Sequence, residues 1–360
     1  MVPFAYQTRP QRIVFGAGSL AQLGEEADAL GVRSALVLCT PGQRELAERA
    51  SAALGARSAG IFDGAVMHVP LAQARLAREY AARYGADCTV AIGGGSTIGL
   101  AKAIALESAL PVIAVPTTYS GSEMTPIYGL TDAGLKRTGR DPRVLPRTIL
   151  YDPELSLALP ASVSVTSGMN AIAHAAEGLY ASDSNPVSQW MSREGIAAFG
   201  RSLPVIAAAG HHMDEAQREA RSDALYGAWL CGAVLGSVTA GLHHKLCHTL
   251  GGTFNLPHAE VHTVVLPHAL AYNAPAAPEA MAAIAQALGA RHGNAPLAVF
   301  ELAAKLGAPT SLRELGLSSA DLDHACELAL HDQYPNPRPL ERHGIRQLLE
   351  DAFEGKPPSA

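Results

Sequence analysis

The chain has 360 residues, 48% of them hydrophobic, and this length predicts about two domains with cores of their own. Its formal net charge of −6 and pI near 6.2 argue against nucleic acid or an anionic membrane as the main partner. No apolar run approaches the roughly 20 residues of a membrane-spanning helix, and the start has no signal-peptide pattern. The five cysteines form no CxxC pair. We therefore expect a cytoplasmic protein.

Over roughly the first 150 residues, short β-rich runs alternate with helical segments. Such alternation is typical of a parallel sheet with crossover helices. The predicted strands are 34–39, 58–62, 89–92, 112–115 and 147–151, and the predicted helices between them are 44–54, 71–84 and 97–106.

The pattern changes after Tyr128. Residues 135–143 are basic and rich in turn formers, and beyond Pro160 the sequence is Ala-rich with helical periodicity almost to its end. Helices are predicted at 163–180, 186–199, 214–235 and 278–288. We therefore predict an α/β domain over residues 1–155 and an all-α domain over residues 156–360, with the boundary between 152 and 160.

A glycine loop, Gly93-Gly94-Gly95-Ser96, follows a predicted strand and opens a helix. Glycines let the backbone approach a phosphate, and the free N–H groups of a helix start attract the anion. Ser96 is the predicted N-cap. A tight turn without a ligand is the alternative. The next strand ends in Pro116-Thr117-Thr118, so hydroxyls flank the crevice where open α/β sheets bind ligands. This favours a Rossmann-like, dinucleotide-binding domain.

Cofactor choice is predicted from the residue that follows the first buried strand. An acidic residue there would bind the ribose hydroxyls of NAD and repel the phosphate of NADP. The chain has Thr40, which excludes neither cofactor. We expect NADH, with some tolerance for NADPH.

Histidines are concentrated in the helical part. His244 and His248 lie four apart on one helical face, His258 follows ten residues later, and Asn170 and His174 share a face in the same way. A single histidine is usually structural, but this density favours a functional site. An aspartate at position 170 would complete an iron or zinc site with His174, His244 and His258. Asn170 leaves three imidazoles and a neutral amide, so we expect a pocket without metal.

The chain resembles the iron-containing (group III) alcohol dehydrogenase superfamily over nearly its whole length. The segments that carry the resemblance are 93–102, 116–125, 167–177, 244–258 and 267–268. It implies that the α/β domain binds a nicotinamide cofactor and that the helical domain supplies metal ligands. Those ligand positions are Asn170, His174, His244 and His258, and His248 matches a frequent extra imidazole.

Several departures make the chain similar to the maleylacetate reductase branch of that superfamily. Gly99 stands where many members have aspartate, the threonine-rich loop is shortened to residues 116–123, and Asn170 replaces the ligand aspartate. Residues 138–146 also resemble this branch. The resemblance implies a metal-independent, NAD(P)H-dependent reduction of maleylacetate to 3-oxoadipate in bacterial degradation of aromatic and chloroaromatic compounds.

Chemistry of this kind needs hydrogen-bond donors for an enolate and a proton for carbon. We expect His174, His244, His248 and His258 to supply them, with Asn170 donating a hydrogen bond and one or more protonated histidines attracting the dicarboxylate. Carboxylate recognition calls for basic groups. The candidates are Lys136, Arg137, Arg140, Arg143, Lys245 and Arg338, with Tyr334 beside the last, although a basic loop is usually only solvated.

Three other functions stay open. One is an iron- or zinc-dependent alcohol dehydrogenase that tolerates asparagine as a ligand. Another is a lyase of the dehydroquinate synthase type, which uses NAD only transiently. The last is a non-catalytic nucleotide-binding protein. Apolar helices also make a homodimer plausible.

Overall fold

The computed structural model divides the chain into two compact units. Residues 7–159 form one, and residues 160–358 together with residues 4–6 form the other. Pro160 immediately precedes the first helix of the second unit. The structure describes residues 4–132, 135–208, 214–291 and 293–358, except for the side chains of residues 135 and 136.

A parallel sheet is the centre of the first unit. The strands are β1 (Arg12–Phe15), β2 (Ala35–Leu38), β3 (Ser58–Phe62), β4 (Cys88–Gly93), β5 (Val112–Pro116), β6 (Ile127–Asp132), β7 (Leu135–Arg140) and β8 (Thr148–Tyr151). Six of them pair in parallel in the order β1-β8-β5-β4-β2-β3, while β6 and β7 form an antiparallel hairpin. Every residue of β2, β4, β5 and β8 is buried, which explains their near-continuous apolar sequences.

Helices cover both faces of this sheet. They are α1 (Leu23–Ala29), α2 (Arg44–Leu54), α3 (Leu71–Arg83) and α4 (Gly95–Ser108). Leu54 of α2 belongs to the same core cluster as Val37, whereas Ile98 of α4 belongs to a second cluster with Leu36. Since successive strand residues point to opposite faces, α1 and α2 lie on one side and α3 and α4 on the other.

All the regular secondary structure among the described residues of the second unit is helical. Its helices are α5 (Ala161–Tyr180), α6 (Pro186–Ala208), α7 (Glu215–Ser237), α8 (Leu242–Thr253), α9 (His258–Asn273), α10 (Pro278–Ala287), α11 (Ala295–Lys305), α12 (Leu322–Leu330) and α13 (Arg342–Glu354). Every residue of α5 from Ser164 to Leu179 is buried. Gly178 allows α7 to approach α5 closely, because a Cβ there would lie 2.2 Å from a methyl carbon of Val234.

In the described part of the chain, no single helix is long and apolar enough to cross a membrane. Helices α7 and α8 reach that length and composition only as a pair, and they are bent by 97° at the break between them.

The predicted combination of an α/β domain and an all-α domain is confirmed, but the basic segment 135–143 is not simply a turn-rich loop. Residues Leu135–Arg140 form β7, paired with β6. A Cβ on Gly139 would lie 2.5 Å from the ring of Tyr128, its partner across the hairpin, so the glycine leaves room for that ring. This cross-strand contact is not visible in the local sequence.

Candidate active site

The glycine loop of the first unit connects β4 to α4. Gly93 has φ of 153°, and a Cβ there would lie 2.5 Å from Thr97 Oγ1. The predicted N-cap was wrong: Gly94 caps α4 without a side-chain hydrogen bond, and Ser96 lies inside the first turn. Because no side chain caps this helix, its first N–H groups are available to a phosphate.

Polar side chains from two neighbouring strand ends flank this loop. Thr40 follows β2 and Thr117 follows β5, on either side of β4 in the sheet. Gln43 links them, since its Oε1 accepts from Thr40 Oγ1 at 3.2 Å and its Nε2 donates to Thr117 Oγ1 at 2.9 Å. Thr118 Oγ1 would lie 3.0 Å from a Cβ on Gly94. The predicted cofactor residues therefore lie together at the carboxyl edge of the sheet, and Gln43 was missed.

A buried lysine supports the loop that follows Thr118. Lys102 Nζ donates to the carbonyl oxygens of Ser122 at 2.6 Å, Thr125 at 2.8 Å and Ile127 at 2.8 Å. Burial lowers the pKa of Lys102 to about 7 and raises the pKa of the neighbouring Glu123. This network is not visible in local sequence patterns, because it joins residues 20 to 25 positions apart.

The second unit brings histidines of three helices into one cluster. His174 of α5 stacks on His244 of α8 with ring centroids 5.2 Å apart, and His262 of α9 lies 5.1 Å from His244. One ring nitrogen from each of these three histidines lies within 4.8 Å of the other two. His262 was not predicted, although its spacing of four residues from His258 was the available signal.

Glu177, which was also not predicted, orients this cluster from α5. Its Oε2 lies 2.5 Å from His244 Nδ1 and accepts from the Gly241 N–H at 2.9 Å, while its Oε1 accepts from the His243 N–H at 2.8 Å. Although burial acts to raise the pKa of Glu177, the charge and hydrogen bond of His244 lower it overall. Glu177 thus anchors the start of α8 as an ionised carboxylate and fixes one nitrogen of His244.

Three of the buried imidazoles are neutral at pH 7. Burial, and then the charges of neighbouring histidines, hold the pKa of His174 and of His262 well below the usual value. Burial also lowers the pKa of His243 to about 3. As neutral rings, they offer hydrogen bonds to a substrate rather than positive charge.

Several buried polar atoms of the cluster have no hydrogen-bond partner among the residues described. They are Asn170 Oδ1, His174 Nδ1, His244 Nε2 and His262 Nε2. Buried polar groups are nearly always hydrogen-bonded in a folded protein, so atoms of this kind mark a place for a ligand.

The other predicted catalytic histidines lie beside this cluster. The ring of His258 is 4.4 Å from that of His262, but His258 is not part of the set of mutually close nitrogens. His248 lies 6.0 Å from His244, and its Nδ1 is 3.2 Å from the hydroxyl of Tyr334.

The predicted carboxylate-binding residues are dispersed. Lys245 and Tyr334 are neighbours in the helical unit, with Lys245 Nζ 5.6 Å from the ring centre. Arg140 and Arg143 belong to the α/β unit, where Arg143 pairs with Asp141 at 2.8 Å. The remaining candidates are Arg338, which bonds to the carbonyl of Tyr272, Arg137, which is exposed on β7, and Lys136, whose side chain lies outside the described residues.

The cluster offers ligand atoms for a divalent ion. His174, His244 and His262 offer three close ring nitrogens, and three imidazoles are a known ligand set for zinc. The carboxylate paired with His244 is a frequent outer-shell partner of metal-bound histidine. Asn170 can add only a neutral amide. These residues fit a zinc-like ion, although none of the ligand groups they offer carries a negative charge.

Comparison with known proteins places this architecture in a family. Residues 10–153 match the family model described as iron-containing alcohol dehydrogenase, and residues 164–353 match that of the Fe-containing alcohol dehydrogenase family, C-terminal. The maleylacetate reductase of Burkholderia cepacia is 59% identical over 359 residues, covering 100% of both chains.

Solved structures are similar over the whole chain. That of maleylacetate reductase from Agrobacterium tumefaciens is 51% identical with a TM-score of 0.94, covering 99% of this chain and 100% of that one. That of a 1,3-propanediol oxidoreductase is 28% identical with a TM-score of 0.91, covering 98% of this chain and 100% of that one. The chain therefore belongs to the iron-containing alcohol dehydrogenase family.

Proposed function

We propose that this protein reduces the carbon–carbon double bond of maleylacetate to give 3-oxoadipate, using NADH, in bacterial breakdown of aromatic and chloroaromatic compounds. The observation that carries the proposal is the buried cluster of His174, His244 and His262, with Asn170 one turn before His174 on α5 and with unpartnered polar atoms on all four residues. Relatives named maleylacetate reductase, similar over the full chain, support the choice of substrate.

The glycine loop supports the proposed cofactor. Gly93 and Gly94 let the backbone approach a pyrophosphate, and the uncapped start of α4 offers N–H donors to it. Thr40 stands where an acidic residue would reject the extra phosphate of NADPH. We therefore propose NADH as the main reductant with NADPH as a tolerated alternative.

The reaction adds a hydride and a proton across a double bond conjugated to a ketone. NADH gives its hydride to the alkene carbon remote from the ketone and leaves as NAD⁺, and the electrons of the double bond move into an enolate. A proton on the other alkene carbon then restores the ketone. The protein has to stabilise negative charge on the enolate oxygen and supply that proton.

Neutral imidazoles suit the first task. A neutral ring with its hydrogen on the exposed nitrogen donates a hydrogen bond to an enolate oxygen without giving up its proton. His262 can do so from Nε2 when its Nδ1 accepts from His243 Nε2, at 2.9 Å. His174 Nδ1 is a second unpartnered nitrogen within the same group of rings.

The pair of Glu177 and His244 suits the second task. The carboxylate holds His244 Nδ1 and leaves Nε2 for the substrate, the arrangement by which carboxylate–histidine pairs move protons in other enzymes. In this proposal a proton carried on His244 Nε2 passes to carbon. Asn170 adds no negative charge, so the pocket does not repel a dianion as an aspartate would.

We propose that this chemistry needs no metal ion, because an enolate delocalises its charge and the donors above lie close together. The second candidate is a metal-assisted reductase or alcohol dehydrogenase, which the close nitrogens of His174, His244 and His262 favour. A bound ion would be held by these three residues and would polarise a carbonyl oxygen.

The test is the consumption of NADH by the purified protein with maleylacetate, with the product identified as 3-oxoadipate. Stoichiometric consumption also separates a reductase from a lyase that uses NAD transiently. Rapid oxidation of simple alcohols without reduction of maleylacetate would overturn the proposal in favour of an alcohol dehydrogenase.

A further inference from the structure

Helix α8 has a second polar face beside the histidine cluster. Lys245, Thr249 and Thr253 recur every four residues and therefore lie on one side of the helix. They border a groove of about 240 Å³ that continues to α12 and the segment after it. The polar side chains that line this groove are Lys245, His248, Thr249, Thr253, His331 and Tyr334.

The groove adjoins the cluster through His248. The ring of His248 lies 6.0 Å from that of His244, and its Nδ1 is 3.2 Å from the hydroxyl of Tyr334. Lys245 Nζ lies 5.6 Å from the ring centre of Tyr334. Burial raises the pKa of Tyr334, so its hydroxyl stays protonated. A molecule in the groove would meet an ammonium and hydroxyls while it reached the imidazoles at the other end.

Lys245 is the residue of this groove best suited to bind an anion. Among the described residues, Lys245 forms no ion pair, whereas His331 pairs with Asp332 at 2.9 Å on the exposed rim. A half-buried ammonium with adjacent hydroxyl donors matches a carboxylate. The volume is below the ~300–1,000 Å³ typical of drug-sized ligands, which favours part of a small acid.

Two other basic residues that were candidates for carboxylate binding already have partners within the protein. Arg338 donates to the carbonyl of Tyr272 at 2.9 Å, and its guanidinium lies 4.2 Å from the centre of the Tyr272 ring. Arg143 is bound to Asp141. Lys245 is thus the half-buried cation of the helical unit that adjoins the cluster and is open to an anion.

We infer that this groove is the carboxylate subsite of the enzyme, in which Lys245 binds one carboxylate of a small dicarboxylate while its carbonyl lies at the histidine cluster. Thr249 supplies a hydroxyl donor to the same carboxylate, and Tyr334 forms the wall on which the ammonium rests. This inference rests on the proposed function and adds to it the residue that binds one of the two carboxylates of the substrate.

The test compares Lys245→Met with Lys305→Met, which removes the same charge from the exposed end of α11. For maleylacetate, Lys245→Met should raise KM by about 10–100-fold, the loss of one charge-assisted hydrogen bond, with the KM for NADH unchanged. Lys305→Met should match the wild type. Lys245→Arg should recover most of the affinity, which guards against a variant that is merely misfolded.

Direct binding separates this inference from the proposed function. Calorimetry with adipate, a dicarboxylate, and hexane-1,6-diol, an uncharged molecule of the same chain length, should show that wild type prefers adipate and that Lys245→Met loses most of this preference. If wild type binds adipate in this way but leaves maleylacetate unreduced, the subsite stands and the proposed reaction falls. An unchanged KM for maleylacetate and unchanged adipate binding in Lys245→Met would overturn the subsite.

Discussion

His243 Nε2 lies 2.9 Å from His262 Nδ1, and both rings are completely buried. Only one of the two nitrogens can carry the hydrogen of this bond. When His243 donates it, His262 must carry its own hydrogen on Nε2, which has no partner among the described residues. In this tautomer the pair makes a neutral buried imidazole a hydrogen-bond donor within the cluster.

Replacing His262 should therefore damage catalysis more than stability. We expect His262→Asn to lower kcat by about 10²–10³-fold, the range for losing one preorganised donor to a developing oxyanion. His268→Asn is the matched control, because His268 is a buried histidine of the same helix outside the cluster. Steady-state kinetics on both variants is the measurement. An equal fall in kcat for His262→Asn and His268→Asn would contradict the role of His262 as a donor.

The pairing of Glu177 with His244 leads to a second prediction. In Glu177→Gln an amide replaces one carboxylate oxygen, so a bond to His244 or to a backbone N–H of α8 is lost. We expect kcat to fall about 10–100-fold, as for outer-shell partners of functional histidines, and unfolding stability to fall by about 1–3 kcal/mol. Glu219→Gln, exposed on α7, should change neither. Wild-type kcat in Glu177→Gln would exclude the dyad.

Sequence patterns identified the structural features that depend on a short local stretch of the chain. Five of the six strands of the parallel sheet, the glycine loop and the pairs Asn170/His174 and His244/His248 were predicted, because each depends on a short stretch of sequence, whereas β1 and the hairpin of β6 and β7 were not. Glu177 and His262 were missed because their roles arise only when α5, α8 and α9 pack together. Gln43 was missed for the same reason, since it joins the ends of two strands that are distant in the chain.

The glycine loop can be tested at Gly93. In Gly93→Ala the Cβ would lie 2.5 Å from Thr97 Oγ1 and 2.8 Å from Gln43 Oε1, at a φ that side chains rarely adopt. We expect the KM for NADH to rise at least about tenfold, with about 1–3 kcal/mol of stability lost to strain. Gly42→Ala, where a Cβ meets nothing within 4 Å, is the control. Equal KM values for NADH in Gly93→Ala and Gly42→Ala would show that the loop does not bind the cofactor.

His268 gives a prediction for acid stability. Burial lowers its pKa to about 4, below the ordinary value near 6.5. Above pH 6.5 the ring is neutral in both states and contributes nothing. As pH falls from 6.5 to 4, the unfolded state binds a proton that the folded state does not, which costs up to about 3 kcal/mol. Urea unfolding should show a shallower loss over this range in His268→Asn than in wild type, whereas parallel curves would contradict the assignment.

The most direct test is kcat for NADH-dependent reduction of maleylacetate after chelation, with metal content measured on the same sample. We predict an unchanged kcat in protein that holds far less than one ion per chain. Loss of activity with the metal, restored by adding back one zinc or iron ion per chain, would contradict catalysis by the imidazoles of His174, His244 and His262 alone.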